Sequence, residues 1–267
     1  MSEPAGIGER TVPLRGGGFA PRLRPRWSWS FGLLLMALWQ LSSSLGWSNE
    51  LLLPSPARVF GALLDLVRDG ELWRHLTASL QRILGGWLLG TIAGLALGFA
   101  MGVSSVARSG GLPLISALFP VPKIALLPLF ILWLGIGEVS KLTMIAFGVF
   151  FPTAVSSYTA FDSVPRGLIR MGQSFNLSTA AIARKILLPG ALPGILAGFR
   201  ISSSIALILV VAAEMIGAEY GIGALILTAG HLMQTDRLLA GVLVLSLLGL
   251  IIGGLLSLIE ARLLRWR

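Results

Sequence analysis

Six stretches of roughly 20 or more predominantly apolar residues leave this chain one solvent in which to fold, because a helix of about that length is what a ~30 Å hydrocarbon core requires. They run from about Trp27 to Gly46, Leu76 to Val103, Leu112 to Gly135, Leu142 to Ala160, Ala191 to Ala218 and Leu238 to Leu258. The third is interrupted by Pro120, Pro122, Lys123 and Pro128. Composition agrees: 55% of the 267 residues are hydrophobic and 12% charged, against roughly 45–50% and 25% in soluble domains. That excludes an ordinary soluble enzyme. The net charge of +9 does not mark a nucleic-acid binder, since the basic residues sit at the ends of apolar runs rather than on an aromatic-interleaved face. With no cysteine, thiol catalysis, disulfides and Cys-ligated metals are excluded.

Orientation follows from Lys and Arg, which stay on the cytoplasmic side. With the N-terminus inside, the inner segments hold 13 of the 21 basic residues, the outer segments five (Arg58, Arg68, Arg74, Lys141, Arg237) and the spans three (Arg82, Lys123, Arg200). Both termini are therefore expected in the cytoplasm. Trp27, Trp29 and Trp266 at inner ends, and Trp47, Trp73 and Trp133 at outer ends, suit headgroup level. The first span has an Arg-rich lead like a signal peptide, but no clean small-residue cleavage site follows, so it is read as a retained helix. Residues 1–26, rich in Gly, Pro and Arg, are expected to form a disordered basic tail, and 27–267 a single transmembrane domain.

Two segments outside the spans are long enough to have tasks. Leu53-Pro54-Ser55-Pro56 is a rigid entry to Ala57–Arg68, whose Val59, Leu63, Leu64 and Val67 recur at helical spacing; a short interfacial helix is expected there. The inner segment, residues 161–192, mixes Arg166, Arg170, Arg184 and Lys185 with Leu168, Ile169, Met171, Phe175, Ile182 and Ile186, then stops at Pro189 and Pro193. Roughly 30 residues exceed the ~2–8 that connect bundle helices, so a partner surface with one or two short helices is expected. In the second span Gly86, Gly90, Gly94, Gly98 and Gly102 form one small-residue stripe, a surface for close helix approach.

A charge at mid-bilayer costs at least ~2.5–3.5 kcal/mol, which makes each intramembrane ionisable residue a functional candidate. Arg82, Lys123 and Glu214 are candidates for lining a translocation pathway; Arg200, nearer its helix end, is expected to snorkel inward. Glu214 has no polar neighbour in sequence and needs a basic partner on another helix or must be protonated. His75 and His231, far apart in sequence, make no metal site and are read as surface or interface residues. Ser202-Ser203-Ser204 has no base nearby and is read as helix-bonded.

The inner loop with its flanking spans resembles the membrane-spanning subunits of bacterial ABC importers, which carry E-A-A-x3-G-x9-I-x-L-P. Here Ile186-Leu187-Leu188-Pro189 matches the end, Asn176 falls at the glycine, and Arg170-Met171-Gly172 stands at E-A-A. Asn is the non-glycine residue that best tolerates a left-handed backbone, whereas Arg170 reverses a charge. The resemblance implies that Arg170, Met171, Gly172, Phe175, Asn176, Ile182, Arg184, Ile186, Leu188 and Pro189 dock an ATPase subunit. Leu53-Pro54-Ser55-Pro56, the run Val121 to Trp133, Gly135-Ile136-Gly137-Glu138 and Gln234-Thr235-Asp236 are similar to the nitrate/sulfonate/taurine group of these permeases.

The implied fold is all-α, polytopic, six-helix and type I ABC importer permease-like, in the bacterial inner membrane. The implied partners are two ATPase copies carrying ATP and Mg, a periplasmic or lipid-anchored substrate-binding protein and a second permease subunit, expected to be a copy of itself. The chain has no G-x4-G-K-[ST] loop with which to cradle ATP phosphates, so no cofactor and no catalysis are expected in it. The implied cargo is a small oxyanion: an aliphatic sulfonate, taurine or nitrate. The alternatives are a neutral or aromatic nutrient such as a thiamine-precursor pyrimidine, a gradient-driven carrier, or an intramembrane enzyme using Glu214, Glu219 or His231.

Overall fold

The computed structural model describes residues 25–46 and 49–265, the side chains of 25–29 excepted. Residues 1–24 of the expected tail, and the side chains of Trp27, Trp29, Trp47 and Trp266, lie outside the described residues. Every regular element among the described residues is helical. In chain order these are α1 (Pro25–Ser44), α2 (Pro56–Arg68), α3 (Glu71–Val103), α4 (Ser105–Leu118), a 3-10 turn (Lys123–Leu126), α5 (Leu127–Leu134), α6 (Glu138–Asp162), α7 (Arg166–Ser174), α8 (Thr179–Ile182), a π turn (Ala183–Leu187), α9 (Leu188–Met215), α10 (Ile222–His231) and α11 (Thr235–Leu263).

Four continuous helices among the described residues are long and apolar enough to cross a membrane: α3, α6, α8 through α9, and α11. The third expected span is not one rod. Pro120 and Pro122 remove backbone donors and block helix continuation, and α4 meets the turn and α5 at 89°. The first expected span is α1, 20 residues long, whose Trp, Ser and Gln content leaves it less apolar than the others. Helix α2 forms as expected, with Ser55 accepting the Arg58 N–H at 3.3 Å and Pro56 in its first turn, where no donor is needed. Gly70, at φ +75°, then lets α3 begin at Glu71, a turn before the expected Leu76.

Helix α6 is the centre of the bundle, packed between α3 and α9. On α3, a Cβ at any of Gly86, Gly90, Gly94, Gly98 or Gly102 would come within 3.0 Å of an α6 atom, at Ile145, Ala146, Phe150, Ser157 and Phe161 in turn. The partners advance in step, so α3 and α6 are parallel. On α9, Gly190, Gly194 and Gly198 face Val164, Ala160 and Ser156 in descending order, so that pair is antiparallel. Lipid tails are as apolar as leucine, so helices here associate by close packing rather than by escape from water, and glycine sets how close they come. The core so formed joins Ile83, Met144, Ile145, Val149, Ala206, Leu209 and Val210. At the Glu138 end a second cluster joins α2, α10 and α11 through Val59, Leu66, Ile222, Leu225 and Ala240.

The expectation that Pro189 and Pro193 end the inner segment is corrected. The helix runs on from Thr179 to Met215 as one 37-residue element. The π turn immediately before Pro189 widens the backbone where the ring would strike the carbonyl four residues back.

Candidate functional site

Three places concentrate the chemistry. The first lies at the Glu138 end. Arg82, on α3, grips Glu138 with two hydrogen bonds, Nε to Oε2 and Nη2 to Oε1, both 2.7 Å. Its Nη1 donates to Glu214 Oε1 at 2.8 Å and to the Tyr220 carbonyl at 2.6 Å. Glu214 is 1% exposed and accepts two further donors, the Ser79 hydroxyl at 2.8 and 2.9 Å from its two oxygens and the Gly223 N–H at 2.9 Å. The Ser79 oxygen accepts the Ile222 N–H at 2.8 Å. Glu214 and Ser79 thus satisfy orphan donors in the first turn of α10, where the helix dipole favours negative charge.

Gly221 makes the closure possible. It sits at φ +148°, and a Cβ there would fall within 3.0 Å of three carboxyl atoms of Glu214. Buried Lys141 lies 3.5 Å from Glu138, so the cluster balances two cations against two anions. The expected basic partner of Glu214 on another helix is therefore Arg82. His75, read from sequence as a surface or interface residue, is buried; its Nδ1 meets the Gly221 backbone, with N and O at 3.0 and 2.7 Å. Among the described residues no three His, Cys, Asp or Glu side chains gather as metal ligands. Ser202 accepts from the Trp87 indole at 3.0 Å, while Ser203 and Ser204 donate to the Arg200 carbonyl. Arg200 itself pairs with Glu260.

The second place is the break between α4 and α5. The Lys123 ammonium donates to the carbonyls of Leu118, at 3.4 Å, and Phe119. It stands 5.1 and 5.0 Å from the ring centres of Phe119 and Phe151. Its stem passes Gly148 of α6.

The third is the inner segment. Helix α7 ends in a Schellman turn: the Leu177 N–H donates to Gly172 O at 3.1 Å and the Asn176 N–H to Gln173 O at 2.9 Å, with Asn176 left-handed at φ +54°. Asn at the motif's glycine position occupies the backbone conformation expected of it. Gly172 is buried against Ile182 and Ile186, and a Cβ there would come within 3.0 Å of the Ile186 side chain. This contact ties α7 to the π turn, while Leu168, Met171 and Phe175 project outward, Phe175 being 73% exposed. Arg170, Arg184 and Lys185 are exposed. Beneath α7 a cavity of about 280 Å³ is lined by Arg108, Asp162, Arg166 and Gln173, and Arg108 pairs with Asp162 at 2.8 Å. Sequence reasoning missed the Gly190-Gly194-Gly198 face, which the four-residue spacing would have shown, and Ser79 and Gly221, which carry no signal outside the fold.

Residues 88–265 match the family model described as the inner membrane component of binding-protein-dependent transport systems. The chain is 36% identical over 248 residues to the aliphatic sulfonates transport permease protein SsuC, so named as putative, of Bacillus subtilis (strain 168), covering 91% of this chain and 90% of that one. It is 36% identical over 258 residues to the taurine transport system permease protein TauC of Escherichia coli (strain K12), covering 91% and 94%. Among solved structures, a chain of the inward-facing MetNI methionine ABC transporter superposes with TM-score 0.62 at 22% identity, covering 72% of this chain and 95% of that one. A chain of an amino acid ABC transporter superposes at 0.57 and 18% identity, covering 75% and 98%.

Proposed function

The chain belongs to the family of inner membrane components of binding-protein-dependent transport systems, and on that premise we propose that it is the permease subunit of an ATP-driven importer of a small organic oxyanion, an aliphatic sulfonate or taurine. The family makes it a multi-pass inner membrane protein that works with an ATPase and a substrate-binding protein. The observation that carries the substrate class is identity of 36% across nine-tenths of the chain to permeases named for sulfonates and for taurine. No feature of these relatives favours a gradient-driven carrier or an intramembrane enzyme.

The finer reading is a homodimer served by two ATPase copies. Both termini and the 161–192 loop lie in the cytoplasm, with the Glu138 end outward, as the distribution of basic residues supports. Helix α7 presents Leu168, Met171 and Phe175, flanked by Arg170 and Arg184, to the ATPase. Because Gly172 locks α7 onto Ile182 and Ile186, and the π turn leads without interruption into α9, a shift of α7 is passed to a helix in contact with the bundle centre. A partner that grips the loop differently with and without ATP can thereby bias an inward against an outward state. Arg82 and Glu214, pathway candidates by sequence, are read as the brace of the outer end, their charges already met.

The test is ATP hydrolysis by the chain assembled with its ATPase and binding protein, with taurine, longer alkanesulfonates, nitrate and a thiamine-precursor pyrimidine supplied in turn. Stimulation by a sulfonate is expected. Stimulation by the pyrimidine alone would overturn the substrate class, and failure to bind any ATPase would overturn the importer reading.

A further inference from the structure

Resting on the anion-importer reading, we infer that the Lys123 ammonium receives the negative head group of the substrate midway across the membrane, with the ring of Phe119 beside it as the surface for the short alkyl chain that carries the head group. Depth is the first argument. Lys123 packs at Gly148, ten residues into α6, or roughly 15 Å at 1.5 Å per residue. That is about half the thickness of a ~30 Å core, too deep for a lysine to snorkel to either interface.

Charge is the second. Arg82 is neutralised by Glu138 and Glu214 and Arg200 by Glu260. Lys123 has no carboxylate within ion-pair distance among the described residues. Two backbone carbonyls and two aromatic faces surround it; these steady a cation without cancelling its charge. Of its three N–H donors, the carbonyls occupy two.

Access is the third. Phe119 and Ile124, on either side, are 47% and 45% exposed, so the break opens on the surface of the chain. An uncompensated ammonium does not face hydrocarbon, and irregular backbone at this depth is tolerated where it is buried in protein or lines a water-filled cavity. A mobile anion with a compact head is the partner that completes the site and can also leave it. The rival role is that of a cap: Lys123 bonds the last carbonyls of α4, as a basic residue at a helix C-terminus does. A cap alone affects assembly and leaves substrate affinity unchanged.

The complete complex, reconstituted in liposomes, separates the two. Lys123→Met is expected to raise the apparent KM for taurine or alkanesulfonate uptake at least about tenfold, and Lys123→Arg to restore it to within about threefold. Because the chain has no cysteine, Lys123→Cys supplies a single thiol in it, expected to react with an ethylsulfonate-bearing methanethiosulfonate and to be protected by saturating substrate with its binding protein. Uptake by the unaltered complex, together with an unchanged KM in Lys123→Met or an unreactive or unprotected thiol in Lys123→Cys, overturns this inference alone. No anion uptake by the unaltered complex overturns the anionic substrate class and this inference with it. Should Lys123→Met fail to assemble, the thiol measurement decides.

Discussion

Arg82 is held by residues that the chain brings from 56 and 132 positions away, and the cost of disturbing it is set by what remains unpaired. Removing one partner of a buried ion pair costs about 3–5 kcal/mol, because the other charge is stranded out of water. Glu214→Gln keeps the shape and leaves Arg82 its Glu138 grip, so a loss near the lower end of that range is expected, read as a lower Tm of the purified protein. Gly221→Ala is expected to cost at least as much, since its methyl group would occupy the place of the carboxylate. Asn176 tests the backbone instead. Asn176→Gly is expected to leave ATPase assembly intact, whereas Asn176→Val, β-branched at φ +54°, is expected to disrupt it; co-purification of the ATPase reads both. The Asn176 conformation was legible because motif spacing and the left-handed tolerance of asparagine are local properties. The partner of Glu214 was not, because nothing at Val210 to Gly217 points to a residue on α3.

Between elements, glycine fixes geometry. Gly94→Leu is expected to force α3 from α6, since even a Cβ there would fall within 3.0 Å of Phe150 O; overpacking costs about 1–3 kcal/mol or more, read as aggregation on size-exclusion chromatography. Gly253→Leu on α11, with nothing within 4 Å of its Cβ position, is expected to elute as the parent does. The α3 stripe stood out in sequence because five glycines recur without interruption. Its counterpart on α9 has the same four-residue spacing but only three glycines, Gly190, Gly194 and Gly198, the first of them lying between Pro189 and Pro193 where sequence alone gives a stop and the π turn lets the helix continue. Prolines did mark the break between α4 and α5, although the bend of 89° depends on packing against α6 and α9. Helix α10, ten residues long, is too short for a search tuned to 20-residue spans. It takes its place from the Glu214 and Ser79 side chains that cap it.

At the scale of the whole molecule, a neutral charge brace closes the Glu138 end, Lys123 stands beside Gly148 with no carboxylate in ion-pair reach among the described residues, and an amphipathic helix presents its apolar side chains at the other end, all joined by α3, α6 and α9. That arrangement suits a permease driven from one face. Phe175→Asp is expected to reduce ATPase co-purification at least about tenfold, as loss of a central aromatic anchor does, without lowering the Tm of the isolated chain. The most direct test of the central claim is uptake of labelled taurine or a short alkanesulfonate into proteoliposomes holding this chain, its ATPase and its binding protein. Uptake that requires ATP and the ATPase, and that fails with Phe175→Asp, is the predicted result; uptake that proceeds without the ATPase would contradict the account.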